Sequence, residues 1–269
     1  MNFSVLISVY DKENPAYLKA ALESIWNEQT LRPSEIVLVK DGDLTPELDW
    51  VIDQFQATAP VKICKLDKNG GLGTALAKGL NLCSNELVAR MDSDDISFPD
   101  RFEKQIKLMK ERPELDISGT NIAEFKHYEN QICSNRRMPS QFSEIKRFAK
   151  MRNPLNHMTV LFKKSAVIGA GNYKPFFGYE DYYLWIRMLR NGYMIGNIPE
   201  NLVSVRVGND MFARRQGVRF FIQEFRLQKE MLQMNFLNIW EYFRNILLRA
   251  FPRLFPLWGI KLVYKFLRK

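Results

Sequence analysis

Four short apolar runs separated by three segments of helical periodicity, all within the first 91 residues, constrain the fold of this chain more than any other feature. Residues 3–9 are almost continuously apolar and give way to Tyr10-Asp11-Lys12-Glu13-Asn14-Pro15, the pattern of a strand buried on both faces followed by a loop. Between 17 and 26 apolar residues recur at 17, 18, 21, 22, 25 and 26, the spacing of one helix face. Strands are predicted again over 35–39, 61–66 and 86–91, with helices over 46–55 and after Gly70-Gly71-Leu72-Gly73. Strand alternating with helix predicts an α/β, Rossmann-like fold, a mixed but mostly parallel sheet flanked by helices. A helix over 102–112, strands and loops to about 208 and a helical C-terminal extension from about 217 complete the reading, with no internal repeat. At 269 residues, 46% of them hydrophobic, the chain can bury a full core.

In an open α/β sheet, ligands bind outside the carboxyl ends of the strands. Asp41 follows the second strand, Asn69-Gly70-Gly71 the third and Asp92-Ser93-Asp94-Asp95 the fourth. Three carboxylates within four residues repel one another unless a cation or hydrogen-bond donors neutralise them. Either a divalent ion sits there, with oxygen ligands favouring Mg²⁺ or Mn²⁺, or the segment is an exposed acidic turn leading through Pro99 and Asp100 into the next helix. The glycines at 70, 71 and 73 let backbone N–H groups approach a nucleotide at a helix N-terminus; a plain strand-to-helix turn accounts for them equally well.

In Gly178-Tyr179-Glu180-Asp181-Tyr182-Tyr183-Leu184-Trp185 two carboxylates open a strongly aromatic helix. One of them can act as general base toward a sugar hydroxyl beside aromatic faces that suit a sugar. The alternative is that both only favour the helix N-terminus while Leu184, Trp185 and Met188 pack inward. His157 is one of two histidines, either a packed residue or a ligand. Arg206, Arg214 and Arg215 either clamp a diphosphate bidentately or lie solvated at the surface.

The net charge of +9 is local: residues 236–269 hold seven Lys and Arg against Glu241 alone. That concentration points to an anionic surface, and not to a uniformly basic nucleic-acid-binding fold. Lys261, Lys265 and Arg268 fall at helical spacing beside Leu262, Val263, Phe266 and Leu267. They form either an interfacial membrane helix, each basic residue contributing about 1 kcal/mol near an anionic leaflet, or a helix packed on the catalytic domain or on a partner in a homodimer. Basic residues interrupt every long apolar window, so no membrane span is expected, and with no basic leader and apolar h-region in the opening residues no secretory signal is expected either. Cys64, Cys83 and Cys133, with no C-x-x-C, argue against a disulfide framework and a zinc site and suit a reducing compartment.

Taken in order, these segments resemble the family 2 glycosyltransferases, inverting enzymes of the GT-A fold, over roughly residues 3–210. Phe3-Ser4-Val5-Leu6-Ile7-Ser8-Val9-Tyr10 is similar to the opening strand and Glu35-Ile36-Val37-Leu38-Val39-Lys40-Asp41-Gly42 to the second. Asn69-Gly70-Gly71 is similar to the nucleotide loop, Arg90-Met91-Asp92-Ser93-Asp94-Asp95 to the D-x-D element and Glu180-Asp181-Tyr182-Tyr183-Leu184-Trp185 to the E-D element. The resemblance implies that Val9, Tyr10, Asp41, Asn69, Gly71, Arg90, Asp92, Arg206 and Arg214 bind the nucleotide sugar, with Tyr10 and Asp41 at uracil and Asp92 at ribose. It implies a metal, Mn²⁺ or Mg²⁺, at Asp94 and Asp92, Asp181 as catalytic base, and Glu180, Trp185 and His157 on the acceptor side. It also implies a catalytic domain over 1–210, divided into a nucleotide-sugar-binding part (1–100) and an acceptor-binding part (101–210), and a basic amphipathic region over 211–269.

Two departures stand out. Lys40 occupies a position where a smaller or acidic residue is common, and Gln223-Glu224-Phe225-Arg226 is followed by Leu227, which breaks the Q-x-x-R-W of processive synthases. The narrower likeness is to bacterial enzymes that extend exopolysaccharide or O-antigen repeat units, the amylovoran type included. It implies a UDP-glucose or UDP-galactose donor, an undecaprenyl-diphosphate-linked saccharide acceptor and a peripheral position on the cytoplasmic face of the plasma membrane. A non-catalytic binding protein of the same fold and a nucleotidyltransferase are the competing readings.

Overall fold

The four apolar runs become β1 (Phe3–Val9), β2 (Glu35–Lys40), β3 (Val61–Lys65) and β4 (Leu87–Met91) in the computed structural model, which describes residues 2–126, 128–208 and 216–254. They pair in parallel in the order β3-β2-β1-β4, with α1 (Pro15–Ser24), α2 (Pro46–Gln56) and α3 (Leu72–Leu82) as crossovers. The first helix starts two residues earlier than its apolar spacing predicts, because Asn14 accepts from the N–H groups of Ala16 and Tyr17 and Pro15 fits the first helical position. The remaining strands are β5 (Ile96–Ser97), β6 (Ile117–Phe125), β7 (Ile132–Arg136), β8 (Leu161–Lys163) and β9 (Ile195–Arg206). β8 joins the sheet antiparallel to both β4 and β6, and β9 runs parallel to β6 along its whole length. The sheet is therefore mixed, with its long ladders parallel.

Both sheet faces are covered, which is why the central strands read as unbroken apolar runs. On one face Val5, Ile7 and Leu38 pack against Leu18, Ile52 and Phe55, and against Phe102 and Ile106 of α4 (Arg101–Glu111). On the other, Leu6 and Val37 pack against Leu76 and Leu80, with α6 (Lys164–Gly169) and α7 (Glu180–Arg190) contributing Val167, Trp185 and Met188. Between β7 and β8 lie α5 (Phe142–Phe148) and a 3-10 turn, His157–Thr159.

The C-terminal region joins this second core through α8 (Val218–Gln233), which buries Leu227 and Met231. α9 (Ile239–Asn245) continues into a π-turn (Ile246–Ala250) and a 3-10 turn (Phe251–Leu254) that ends at Leu254, with Pro252 inside it. The helix expected at Gln223-Glu224-Phe225-Arg226 is present, but Glu224 in it is fully buried. Its carboxylate accepts from Arg249 Nε and Arg253 Nη2 at 2.8 Å each, from Tyr179 at 2.7 Å and from Gln228 at 3.0 Å. Against the upward push of burial, the two guanidinium groups hold the Glu224 carboxyl well below the usual carboxylate range. Breaking a buried ion pair from one side leaves the other charge desolvated and unpaired. Glu224→Ala is expected to lower stability by about 3–5 kcal/mol in equilibrium denaturation; a loss below about 1 kcal/mol, the range of exposed pairs, would show that water reaches the arginines.

Candidate active site

The carboxyl ends of β1, β2 and β4 and the loop after β3 converge on one edge of the sheet, and this edge collects most of the predicted residues. Val9 is buried, and its carbonyl accepts from the Asp41 N–H at 2.8 Å. Tyr10, the next residue, is 43% exposed. Asp41 Oδ1 accepts from the Gly70 N–H at 2.7 Å, so the second strand end and the glycine loop are bound to each other. Asn69 Oδ1 accepts from Gly71 N–H at 3.1 Å, while Gly71 has φ +78° with open space where a Cβ would stand. Its backbone is therefore accessible to a ligand in a way a side-chain-bearing residue would obstruct. The Lys40 departure is absorbed locally: its ammonium turns to Asp49 Oδ1 on α2, 2.7 Å away.

Beyond β4, Asp92, Asp94 and Asp95 bring carboxylate oxygens within 4.8 Å of one another. Burial, then the charges of Asp92 and Glu13, push the Asp94 carboxyl up to about 7. Burial, then the charges of Asp92 and Asp94, raise Asp95 well above the usual carboxylate range, although its Oδ1 accepts from the Arg206 N–H at 3.0 Å. Glu13 closes the cluster from the β1 loop by accepting from Ser93 Oγ.

Arg90 sits below the cluster with 1% exposure and forms an ion pair with Asp92. A second buried arginine, Arg101, donates to the Arg90 carbonyl at 2.7 Å, and burial together with Arg90 lowers its pKa to about 9. Arg90 was expected among the nucleotide-sugar contacts; buried to this degree, it orients Asp92 from beneath.

The E-D pair opens α7 directly after the glycine turn at Gly178, which has φ +74°. A Cβ on Gly73 would come within 2.9 Å of Glu180 Cγ and of the Lys174 carbonyl oxygen, so only glycine lets α3 approach α7 this closely. Asp181 Oδ2 accepts from Asn153 Nδ2 at 2.6 Å. Burial, with Asp181 adding to it, raises Glu180 to about 7. Burial pushes the Tyr173 hydroxyl up, with Arg90 opposing and Asp181 and Asp92 adding to it.

His157 Nε2 lies 3.1 Å from the Tyr173 hydroxyl, and the His157 ring centroid is 6.0 Å from that of Trp185. Burial, then the neighbouring Arg90, pushes the His157 pKa well below its ordinary value, so it is neutral. Trp185 has no exposed surface. Its expected contact with the acceptor is corrected to a core role: α7 turns position 185 inward, and Trp185 supports His157 and Tyr173 from behind.

Arg206, expected at a diphosphate, has its guanidinium carbon 3.8 Å from the Tyr17 ring centroid and 4.6 Å from that of Phe125, so aromatic faces fix its position. Arg214 and Arg215 lie outside the described residues, as do Lys261, Lys265 and Arg268. Sequence reading missed Asn153, Glu13, Tyr173 and Arg101 as site residues. The Asn153-Pro154 step was the one visible signal, since Asn before Pro favours a fixed turn.

A parallel half extended by antiparallel strands, with an acidic cluster at a strand end and a carboxylate pair opening a helix, defines a GT-A glycosyltransferase. Residues 4–169 match the model for "Glycosyl transferase family 2", and the chain belongs to that family. It is 44% identical to an uncharacterised glycosyltransferase of Haemophilus influenzae, each chain covered completely. It is 42% identical to the amylovoran biosynthesis glycosyltransferase AmsE of Erwinia amylovora, over 99% of both chains. It is also 37% identical to the Escherichia coli UDP-Gal:alpha-D-GlcNAc-diphosphoundecaprenol beta-1,3-galactosyltransferase, over 94% of this chain and 92% of the relative. Among solved structures, S. aureus TarS 1-349 in complex with UDP-GlcNAc superposes with a TM-score of 0.71 at 17% identity, over 94% of this chain and 72% of the other. Mannosyltransferase PcManGT of Pyrobaculum calidifontis, in complex with GDP-Man and Mn2+, gives 0.69 at 15%, over 98% and 73%. At those identities the two structures speak to the fold.

Proposed function

We propose that the chain is an inverting, non-processive hexosyltransferase that moves glucose or galactose from its UDP conjugate to a saccharide carried on undecaprenyl diphosphate, in bacterial surface-polysaccharide assembly. The observation that carries this reading is the near full-length likeness to a galactosyltransferase whose name specifies a UDP-Gal donor and a GlcNAc-diphosphoundecaprenol acceptor. Residues 1–100 hold the donor and 101–210 the acceptor. The protein works as a peripheral protein at the inner face of the plasma membrane, where a lipid-linked acceptor is reached.

Asp94 and Asp92 are the residues that would hold Mn²⁺ or Mg²⁺. A cluster of carboxylates short of positive charge, one of them raised to about 7, fits a hard oxygen-seeking cation. When bound, the ion supplies Lewis-acid neutralisation of the charge growing on the leaving diphosphate. Asp181 accepts the proton of the acceptor hydroxyl while that oxygen bonds to the anomeric carbon and the bond to UDP breaks on the opposite side, so configuration inverts. Asn153, donating to Oδ2, fixes the rotation of the carboxylate, which keeps the base in one productive geometry. Glu180, near its midpoint at neutral pH, supports the acceptor side as hydrogen-bond donor or acceptor. Neutral His157 and Tyr173 hold the floor beneath them.

The test is UDP release by purified protein from UDP-glucose, UDP-galactose and their N-acetyl forms, with and without Mn²⁺, given a GlcNAc-diphosphate-lipid analogue. Acceptor-dependent release from one hexose donor is expected. Pyrophosphate release from a nucleoside triphosphate without UDP release would replace this reading with a nucleotidyltransferase. Silence with every donor from a folded, UDP-binding protein would make it a binding protein.

A further inference from the structure

The C-terminal helices carry an apolar face that no element of the described structure covers. Along 239–254 the exposed apolar residues are Ile239, Trp240, Phe243, Leu247, Phe251 and Leu254, with Trp240 80% exposed. They recur at three- and four-residue steps, so they form one stripe down α9 and the two turns after it. On α8, Val218, Ile222 and Phe225 form a second exposed stripe at the same spacing. The stripes are joined: ring centroids of Phe225 and Tyr242 lie 6.2 Å apart, and those of Phe221 and Phe251 5.9 Å apart. The opposite side of the same segment is fastened down by Arg249 and Arg253 on Glu224 and by Asn245 Nδ2 on the Lys150 carbonyl at 2.7 Å. The outward apolar face is thus fastened in place, and exposed large apolar side chains gathered on one contiguous face mark an interaction surface.

The charges around it identify that occupant. Arg219, Arg226, Lys229 and Arg244 are the exposed charged residues among the described residues of this region, and all are basic. Glu224 is buried, while Glu230 and Glu241 are half-buried and engaged with Tyr183 and Lys150. The sequence beyond Leu254 adds Lys261, Lys265, Arg268 and Lys269 with no acidic residue. Aromatic and aliphatic side chains within a one-signed basic rim suit an anionic lipid surface, where the rings enter the interface and the cations meet headgroups. A second copy fits poorly, because an isologous contact sets each patch against itself and would oppose arginine to arginine. No helix among the described residues is long and apolar enough to cross a membrane, so the face would lie on a bilayer.

We propose that α8, α9 and the turns to Leu254 form a preformed docking face for anionic bilayers, distinct from residues 258–269. It deepens the membrane-surface reading above and rests on it for its purpose, since a lipid-linked acceptor explains why the enzyme needs a fixed height over the bilayer. Full-length protein is sedimented with vesicles of phosphatidylcholine alone or with phosphatidylglycerol, comparing wild type, Trp240→Glu/Phe243→Glu and, as a milder change, Leu247→Glu, all checked for unchanged melting temperature. Wild type is expected to bind the anionic vesicles in a salt-sensitive way, and the double variant about tenfold or more weakly, with Leu247→Glu between. UDP release with a water-soluble acceptor analogue should be unchanged in the variants, while release with a vesicle-embedded acceptor falls.

Equal binding of all three proteins would overturn the face, as would equal binding to neutral and anionic vesicles. So would a wild-type dimer that the double variant splits while vesicle binding persists. Loss of vesicle binding in the double variant alone, from a wild type that binds anionic vesicles but releases no UDP from any donor, would leave the docking face standing and remove the transferase reading alone.

Discussion

Asparagine at position 181 is expected to lower the turnover number by about 10³-fold while leaving UDP-sugar affinity unchanged, because general-base catalysis contributes about 10²–10⁴-fold and the residues proposed for the donor lie elsewhere on the sheet edge. The substitution is nearly isosteric. Asn153 Nδ2 now donates to Asp181 Oδ2 at 2.6 Å, and an amide oxygen at position 181 can accept the same bond, which preserves the local geometry. What disappears is the group that takes the acceptor proton. Single-turnover chemistry and equilibrium UDP binding, measured on one preparation, separate these effects. Turnover within tenfold of wild type would transfer the role to Glu180, and the pH profile then distinguishes the two. Burial and Asp181 hold Glu180 at about 7, so a Glu180 base would lose activity tenfold per unit below that pH. Removing the Asp181 charge would also move that limb to lower pH, since one of the causes raising Glu180 is gone.

How much of this was legible in the sequence depended on whether the physics was local. The four parallel strands were readable because burial on both faces forces unbroken apolar runs, and α1 was misplaced by two residues only because capping by Asn14 outweighs apolar spacing at a helix start. Asp41, Asn69 and the acidic cluster were legible because strand ends announce themselves by polar residues after apolar ones. Strand order past β4 was not: β8, three residues long, joins antiparallel between β4 and β6, and nothing in Leu161–Lys163 specifies its neighbours. Long-range pairing of side chains was equally hidden. Arg90 and Arg206 are basic residues in a family pattern that suggests a phosphate, yet one pairs with Asp92 under the sheet edge and the other stacks on Tyr17 and Phe125. Asn153, by contrast, lies 28 residues from Asp181 in sequence and acts on it directly.

The acidic cluster leads to the second large effect, and its sign follows from where the protons sit. Without a cation, Asp94 ionises only near pH 7, held there by burial, Asp92 and Glu13, whereas in an unfolded chain it would ionise near about 4. Between those values the folded state binds the extra proton, so the contribution of this carboxyl to the stability of the metal-free protein falls as pH rises from about 4 to about 7. A divalent ion must displace that proton below pH 7, so its apparent affinity should weaken by up to about tenfold per pH unit on the acid side. Mn²⁺ at about a hundredfold its Kd should stabilise the protein by about 2.7 kcal/mol, a rise of roughly 5–10 °C in melting temperature at this chain length, and at pH 5.5 the same concentration should give much less. Asp94→Asn should abolish most of that rise and lower UDP-forming turnover by about 10²-fold or more, partly restored by excess metal, since a leaving diphosphate left unneutralised forfeits several kcal/mol of transition-state stabilisation. The variant should also be more stable than wild type in metal-free buffer above pH 7, because it removes a half-buried charge that Asp92 and Glu13 repel. An Asp94→Asn protein that turns over normally, or a wild type whose melting temperature ignores Mn²⁺ at pH 8, would make the cluster an acidic turn and nothing more.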